Sequence, residues 1–197
     1  MNISLSFSGS ASAADWLLRS QTSASQLITF GPAGFEDYAR LRYLRDPRRP
    51  DEAEGRRPAD RPTPITVARR ALHILASHTG TPDDAYFCLW VGYSDVPVRS
   101  VPLEAVVHLP GRDYALLRGP LTAAAEWEAV LGLDPHGHVP PPAFVWPADH
   151  RWCYASDVDP HWAGVGASRS AIEALLADQE LDVIRARPAD PQPYYLS

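Results

Sequence analysis

The residues that could do chemistry crowd into one stretch, PPPAFVWPADHRWCYASDVDPHW, from Pro140 to Trp162. Asp157, Asp159 and His161 fall there at i, i+2 and i+4. In a continuing strand all three project from one face. Carboxylate oxygens and an imidazole nitrogen suit a divalent ion, and a metal-activated water held by them would make a hydrolase. Pro160 argues the other way, because a proline ends a strand before His161 is reached. The aspartates are then the solvated end of a strand. His136 and His138, either side of Gly137, are a second chelating pair, set in the proline-rich run LDPHGHVPPP. Cys153 is a candidate nucleophile with His150 or His161 as its base. It stands between Trp152 and Tyr154, where simple packing explains it, whereas a reactive thiol wants a positive, partly open setting.

The same stretch can instead be a recognition surface. Tryptophan and arginine are enriched at binding hot spots, and a guanidinium stacks on an indole. Trp146, between Val145 and Pro147, and Trp162, after Pro160, are the tryptophans expected at the surface, and Trp90 is expected in the core. With Arg40, Arg42, Arg151, Asp149, His150, Asp157 and Asp159 they outline an acidic and aromatic face for a partner.

Composition limits the choice. The net charge is −6, which disfavours a phosphate-tracking surface and hence nucleic acid. All 18 residues counted as lysine plus arginine are arginines. The chain therefore has no lysine for a Schiff base or a phosphate-binding loop. Cys88 and Cys153 lie in apolar runs and read as reduced, buried thiols. Residues 1–18 have no basic start followed by a long apolar core, and no run approaches the ~20 apolar residues of a membrane span. A cytoplasmic location without membrane contact is the expectation. No Ser-His-Asp pattern, HExxH, CxxC or GxGxxG is present, and no cofactor is expected.

The elements that must position these residues follow from periodicity. AADWLLRS reads as a short helix. LITF reads as a strand turning through GPAG into DYARLRYL, a hairpin spanning residues 27–44. In its second arm Ala39, Leu41 and Tyr43 face one way, and Tyr38, Arg40 and Arg42 the other. Residues 46–64, DPRRPDEAEGRRPADRPTP, have no apolar period and are expected to be a disordered loop. A helix capped by Thr66 runs through TVARRALHILASH. YFCLWVGY, LEAVVHL and DYALLR are strands, and LTAAAEWEAVLG is a helix ended by Gly132. In residues 151–158, Trp152, Tyr154, Ser156 and Val158 form the core-facing row. A capping box of Ser170 and Glu173 opens the next helix, and LDVIRAR is a last strand. The sum is a single α+β domain, a mainly antiparallel sheet with helices packed on one face.

Four ordered blocks, FGPAGFEDYARLR, HTGTPDDAYFCLWVGY, GRDYALLRGPL and FVWPADHRWCYASDVD with its following helix, together resemble an uncharacterised family of actinobacterial proteins. The likeness covers most of residues 26–187. In that pattern an arginine often follows the first aspartate, whereas Asp149 is followed here by His150 and then Arg151. The likeness implies a fold pattern and no activity. The functional expectation is a protein-interaction or regulatory domain, immunity-like by analogy with other small acidic α+β domains. It would take a protein partner, or a second copy of itself through a strand edge. The alternative is a metal-assisted hydrolase using Asp157, Asp159 and His161.

Overall fold

A computed structural model describes residues 4–93, 101–134 and 138–196. Among them run nine strands: β1 (Ser6–Phe7), β2 (Asp37–Arg42), β3 (Ala85–Trp90), β4 (Val106–Leu109), β5 (Arg112–Gly119), β6 (Phe144–Pro147), β7 (Cys153–Ala155), β8 (Trp162–Ala167) and β9 (Val183–Arg185). The helices are α1 (Asp15–Leu18), α2 (Ala24–Phe30), α3 (Pro64–Leu75), α4 (Trp127–Leu131) and α5 (Arg169–Ala177). The strands join in one sheet ordered β1-β5-β3-β6-β7-β8-β2-β9, with β4 also paired to β5. Every strand pairing in the sheet is antiparallel. The α+β expectation holds.

The helices lie on both faces, not one. Strands β6, β7 and β8 are buried along their whole length, which a sheet allows only when both sides are covered. One face packs Phe87, Val145, Tyr154 and Val165 under α3, α4 and α5. The other packs Cys88, Phe144, Trp146 and Cys153 against α1 and α2. The row Ala39, Leu41, Tyr43 does face the first of these cores.

Residues 27–30 are the end of α2, so the proposed hairpin does not exist. Ser23 accepts the Gln26 N–H and starts the helix; Gly31, at φ 79°, stops it. A Cβ on Gly31 would stand 2.7 Å from the Cys153 sulfur. Leu27 and Phe30, three apart, then bury one helical stripe, which outweighs the β-propensity of Ile-Thr-Phe. Strand β8, WAGVGA, carries no alternating apolar run to announce it. Its glycines are needed for close approach: a Cβ on Gly164 would meet the Thr29 carbonyl oxygen at 2.2 Å, and one on Gly166 would meet the Phe35 ring at 2.4 Å. Two caps also sit elsewhere than expected. Thr63, with Pro64 in the first turn, starts α3 in place of Thr66, and Ser168 starts α5 in place of Ser170.

Residues 46–63 contain no helix or strand, in keeping with their composition. They are nonetheless fixed to the body. Asp46 pairs with Arg40, Glu52 with Arg45 and Arg61 with Asp182, and Ala53 bridges Leu196. No helix of the described residues is long and apolar enough to cross a membrane.

Candidate functional site

The register sends the expected site residues to two opposite ends of the sheet. Cys153 pairs with Gly166 and Ala155 with Gly164, so residues 149–151 and residues 157–161 leave β7 at different ends. At the first end Asp149 is a turn clasp. It accepts the Thr79 hydroxyl at 2.8 Å, the Gly80 N–H at 2.8 Å and the Arg151 N–H at 3.2 Å. His150 has φ 55° and stacks on Trp16 at 4.3 Å. Trp146 is fully buried, packed on Trp16 and Tyr86, and is part of the core rather than the surface.

At the second end the chemistry gathers on Asp46. Arg40 and Arg42 leave β2 on the α2 side. Arg40 grips Asp46 through two nitrogens at 2.8 and 3.0 Å, and Arg42 adds a third contact at 3.3 Å. Arg42 also meets Asp182 at 2.6 Å, and Arg61 meets the other oxygen of Asp182 at 3.0 Å. The His161 Nε2 lies 3.0 Å from Asp46. Burial pushes the Asp46 carboxyl up, but the hydrogen bonds from Arg40 and His161 and the charges of Arg40 and Arg42 outweigh it and hold it at about 2. Burial pushes His161 below its ordinary value against the pull of Asp46. A carboxylate only accepts, so the neutral imidazole carries its proton on Nε2 and donates it to Asp46. The Arg40 guanidinium covers Trp162 at 5.3 Å, and Phe30 packs on that indole at 4.9 Å. Trp162 is only 3% exposed, so the second tryptophan expected at the surface is also internal.

The metal reading fails on this geometry. Residues 156–161 are a loop between β7 and β8, so the i, i+2, i+4 strand spacing never applies. Asp157 is gripped by Arg112 at two distances of 3.1 Å, and Asp159 touches the same guanidinium at 3.4 Å. His161 turns to Asp46 instead. Among the described residues no group of three or more His, Cys, Asp or Glu is placed to hold a metal ion. His136 lies outside the described residues; His138 lines a cavity of about 270 Å³ beside Tyr43, Ser156 and His161. The cysteine reading fails too. Both thiols are buried, and burial pushes Cys88 and Cys153 far above the range in which a thiolate forms.

Sequence reasoning missed most of the partners. Asp46, Arg61, Arg112 and Asp182 are single charges in turns or at strand ends, and nothing local distinguishes them from solvated ones. It also missed a buried hydroxyl cluster, in which Tyr43 meets Tyr154 at 3.0 Å and Ser156 at 2.9 Å. Burial pushes the Tyr43 phenol up to about 12, so it stays protonated. The alternation of Tyr154 and Ser156 with Cys153 and Ala155 was the one available signal, since it puts both hydroxyls on one face.

A larger opening lies on the far side of the Pro160 ridge. It is a groove of about 610 Å³ between α2 and residues 188–196, floored by Phe30 and Trp162. Val158, Tyr194 and Leu196 on its walls are exposed by 37%, 66% and 46%. Residues 188–196 are held beside it by the Tyr195 hydroxyl, which donates to the Arg45 carbonyl at 2.6 Å, and by the Leu196 N–H, which donates to the Glu52 carbonyl at 3.1 Å. Comparisons with models of known families, with curated proteins and with solved structures find no match for this chain.

Proposed function

We propose that the protein is a non-catalytic binding domain that takes a protein partner in the groove between α2 and residues 188–196. One observation carries this reading: large apolar side chains stand exposed around that concavity, while Asp46, Asp157, His161 and both thiols are internally paired or buried. Val158, Tyr194 and Leu196 surround it. A concave site with an apolar and aromatic wall is where a partner's side chain recovers most of its burial energy. By contrast, Asp46 and Asp157 are locked in arginine forks, the thiols are buried, and His161 is spent on Asp46.

The test is affinity capture from cells with three forms of the protein: the natural chain, Tyr194→Ala with Val158→Ser, and Arg151→Ala at the opposite end of the sheet. The expected result is a defined partner held by the natural chain and by Arg151→Ala and lost with the groove variant. A partner retained by the groove variant and lost with Arg151→Ala would move the binding face to the other end and overturn this reading.

A further inference from the structure

We infer that the occupant of this groove is an extended peptide segment that inserts arginine side chains, an inference that rests on the binding reading above. The groove is lined by three carboxylates, Glu54, Asp159 and Asp190, and by no arginine or histidine. Elsewhere in the described residues Asp46, Asp84, Asp157, Asp178 and Asp182 each face an arginine. Among the described residues, the Glu54 and Asp190 side chains make no ion pair or hydrogen bond. Asp159 keeps only the 3.4 Å contact with Arg112, and its side chain is 83% exposed. Two unpaired carboxylates and a third held only at its edge by Arg112, around a partly apolar concavity, attract a cation and repel an anion.

The aromatic and proline wall selects which cation. An ammonium is compact and strongly hydrated, whereas a guanidinium is planar, weakly hydrated and stacks on rings. Tyr194 presents an exposed ring beside the carboxylates. The same fold already sets guanidinium on indole twice, Arg40 on Trp162 and Arg112 on Trp90, with an aspartate holding the far side each time. The groove likewise sets an aromatic ring, Tyr194, among carboxylates. Its volume of about 610 Å³ exceeds that of one side chain. Gln26 on its wall offers an amide group to a peptide backbone, whereas the Gln192 Nε2 already donates to the Arg187 and Asp190 carbonyls at 2.9 and 2.8 Å.

The experiment is an amide-shift titration of the isotope-labelled full chain with three synthetic peptides: acetyl-Gly-Arg-Pro-Arg-Gly-amide and its counterparts with both arginines replaced by glutamine or by glutamate. The arginine peptide is expected to move the amides of Gln26, Thr29, Gln192 and Tyr194. The glutamate peptide should move none of them. Binding of the arginine peptide should weaken as salt is raised, and Glu54→Gln with Asp190→Asn should weaken it by about ten-fold or more, the scale of losing close charge partners. Equal binding of the glutamine peptide, or an unchanged affinity in the double variant, would overturn the arginine assignment while leaving the groove as the binding site. If no peptide moves the groove amides, the arginine assignment falls, and the cell-capture experiment decides the binding reading separately.

Discussion

At the scale of single residues, Asp46 holds more together than any other charged group near the groove. It is the shared acceptor of Arg40, Arg42 and His161. The Arg40 side chain is 6% exposed, so removing its partner strands a nearly buried cation. Asp46→Asn is expected to cost about 3 kcal/mol, measured by urea unfolding at neutral pH. The same measurement across pH should show two losses. His161 has a lowered value when folded, so the unfolded chain takes up its proton first, and stability falls as pH drops below about 6.5. Asp46 sits near 2 when folded and at 3.8 otherwise, so a second loss follows as pH falls from about 4 toward 2. Glu52, Asp84, Asp149 and Asp178 are also held below their ordinary values and contribute in the same range, so Asp46→Asn should shrink that second loss rather than abolish it; an unchanged loss would show that those other carboxylates account for it. Almost nothing of this centre was legible in the chain. Arg40, Arg42 and His161 could be named because their residue types stand out, but Asp46 opens a run of mixed charges that reads as solvated. Its partners come from positions 40, 42 and 161, and only the sheet brings them together.

At the scale of elements, the pairing of α2 with β8 decides where the groove can be. Trp162, Gly164 and Gly166 share one face of β8; Gly164 lets the α2 backbone come within contact of the strand, and Gly166 makes room for the rings of Phe35 and Tyr38. Gly164→Ala would drive a methyl into the Thr29 carbonyl. The expected cost is about 3 kcal/mol by chemical denaturation, with a change in tryptophan fluorescence as Phe30 and Trp162 separate. An alanine tolerated without loss would mean that α2 is free to ride outward. Elements with strong periodicity were legible: α3, α5, β2, β3 and β5 stand where their apolar patterns put them. The failures share a cause. LITF has strand-forming residues but a serine cap before it and a glycine after it, and the local caps prevailed. WAGVGA is a central strand whose small residues answer to the helix above it, a requirement that lies in another part of the chain.

At the scale of the whole molecule, helices on both faces make the centre of the sheet the most protected region. Hydrogen exchange should be slowest in β6, β7 and β8, buried on both sides, and fast in β1, β4 and β9, which lie at or beside the edges. Fast exchange throughout β8 would contradict the packing of α2 upon it. The α+β class was readable because antiparallel strands and short helices alternate irregularly along the chain. The coverage of both faces was not, because α2 was hidden in a run of strand-like residues. The position of β2 has a further consequence. It pairs with β8 on one side and β9 on the other, so Asp37 meets Ala167 and Ala39 meets Arg185. A ribosome making this chain finishes β2 on the order of ten seconds before either neighbour exists, at the usual rates of synthesis. Through that interval the first long strand waits with both edges bare and its Ala39–Leu41–Tyr43 row uncovered. The sheet therefore cannot be laid down in the order in which it is translated: the oldest long strand can take its place only once β8 and β9 have been made.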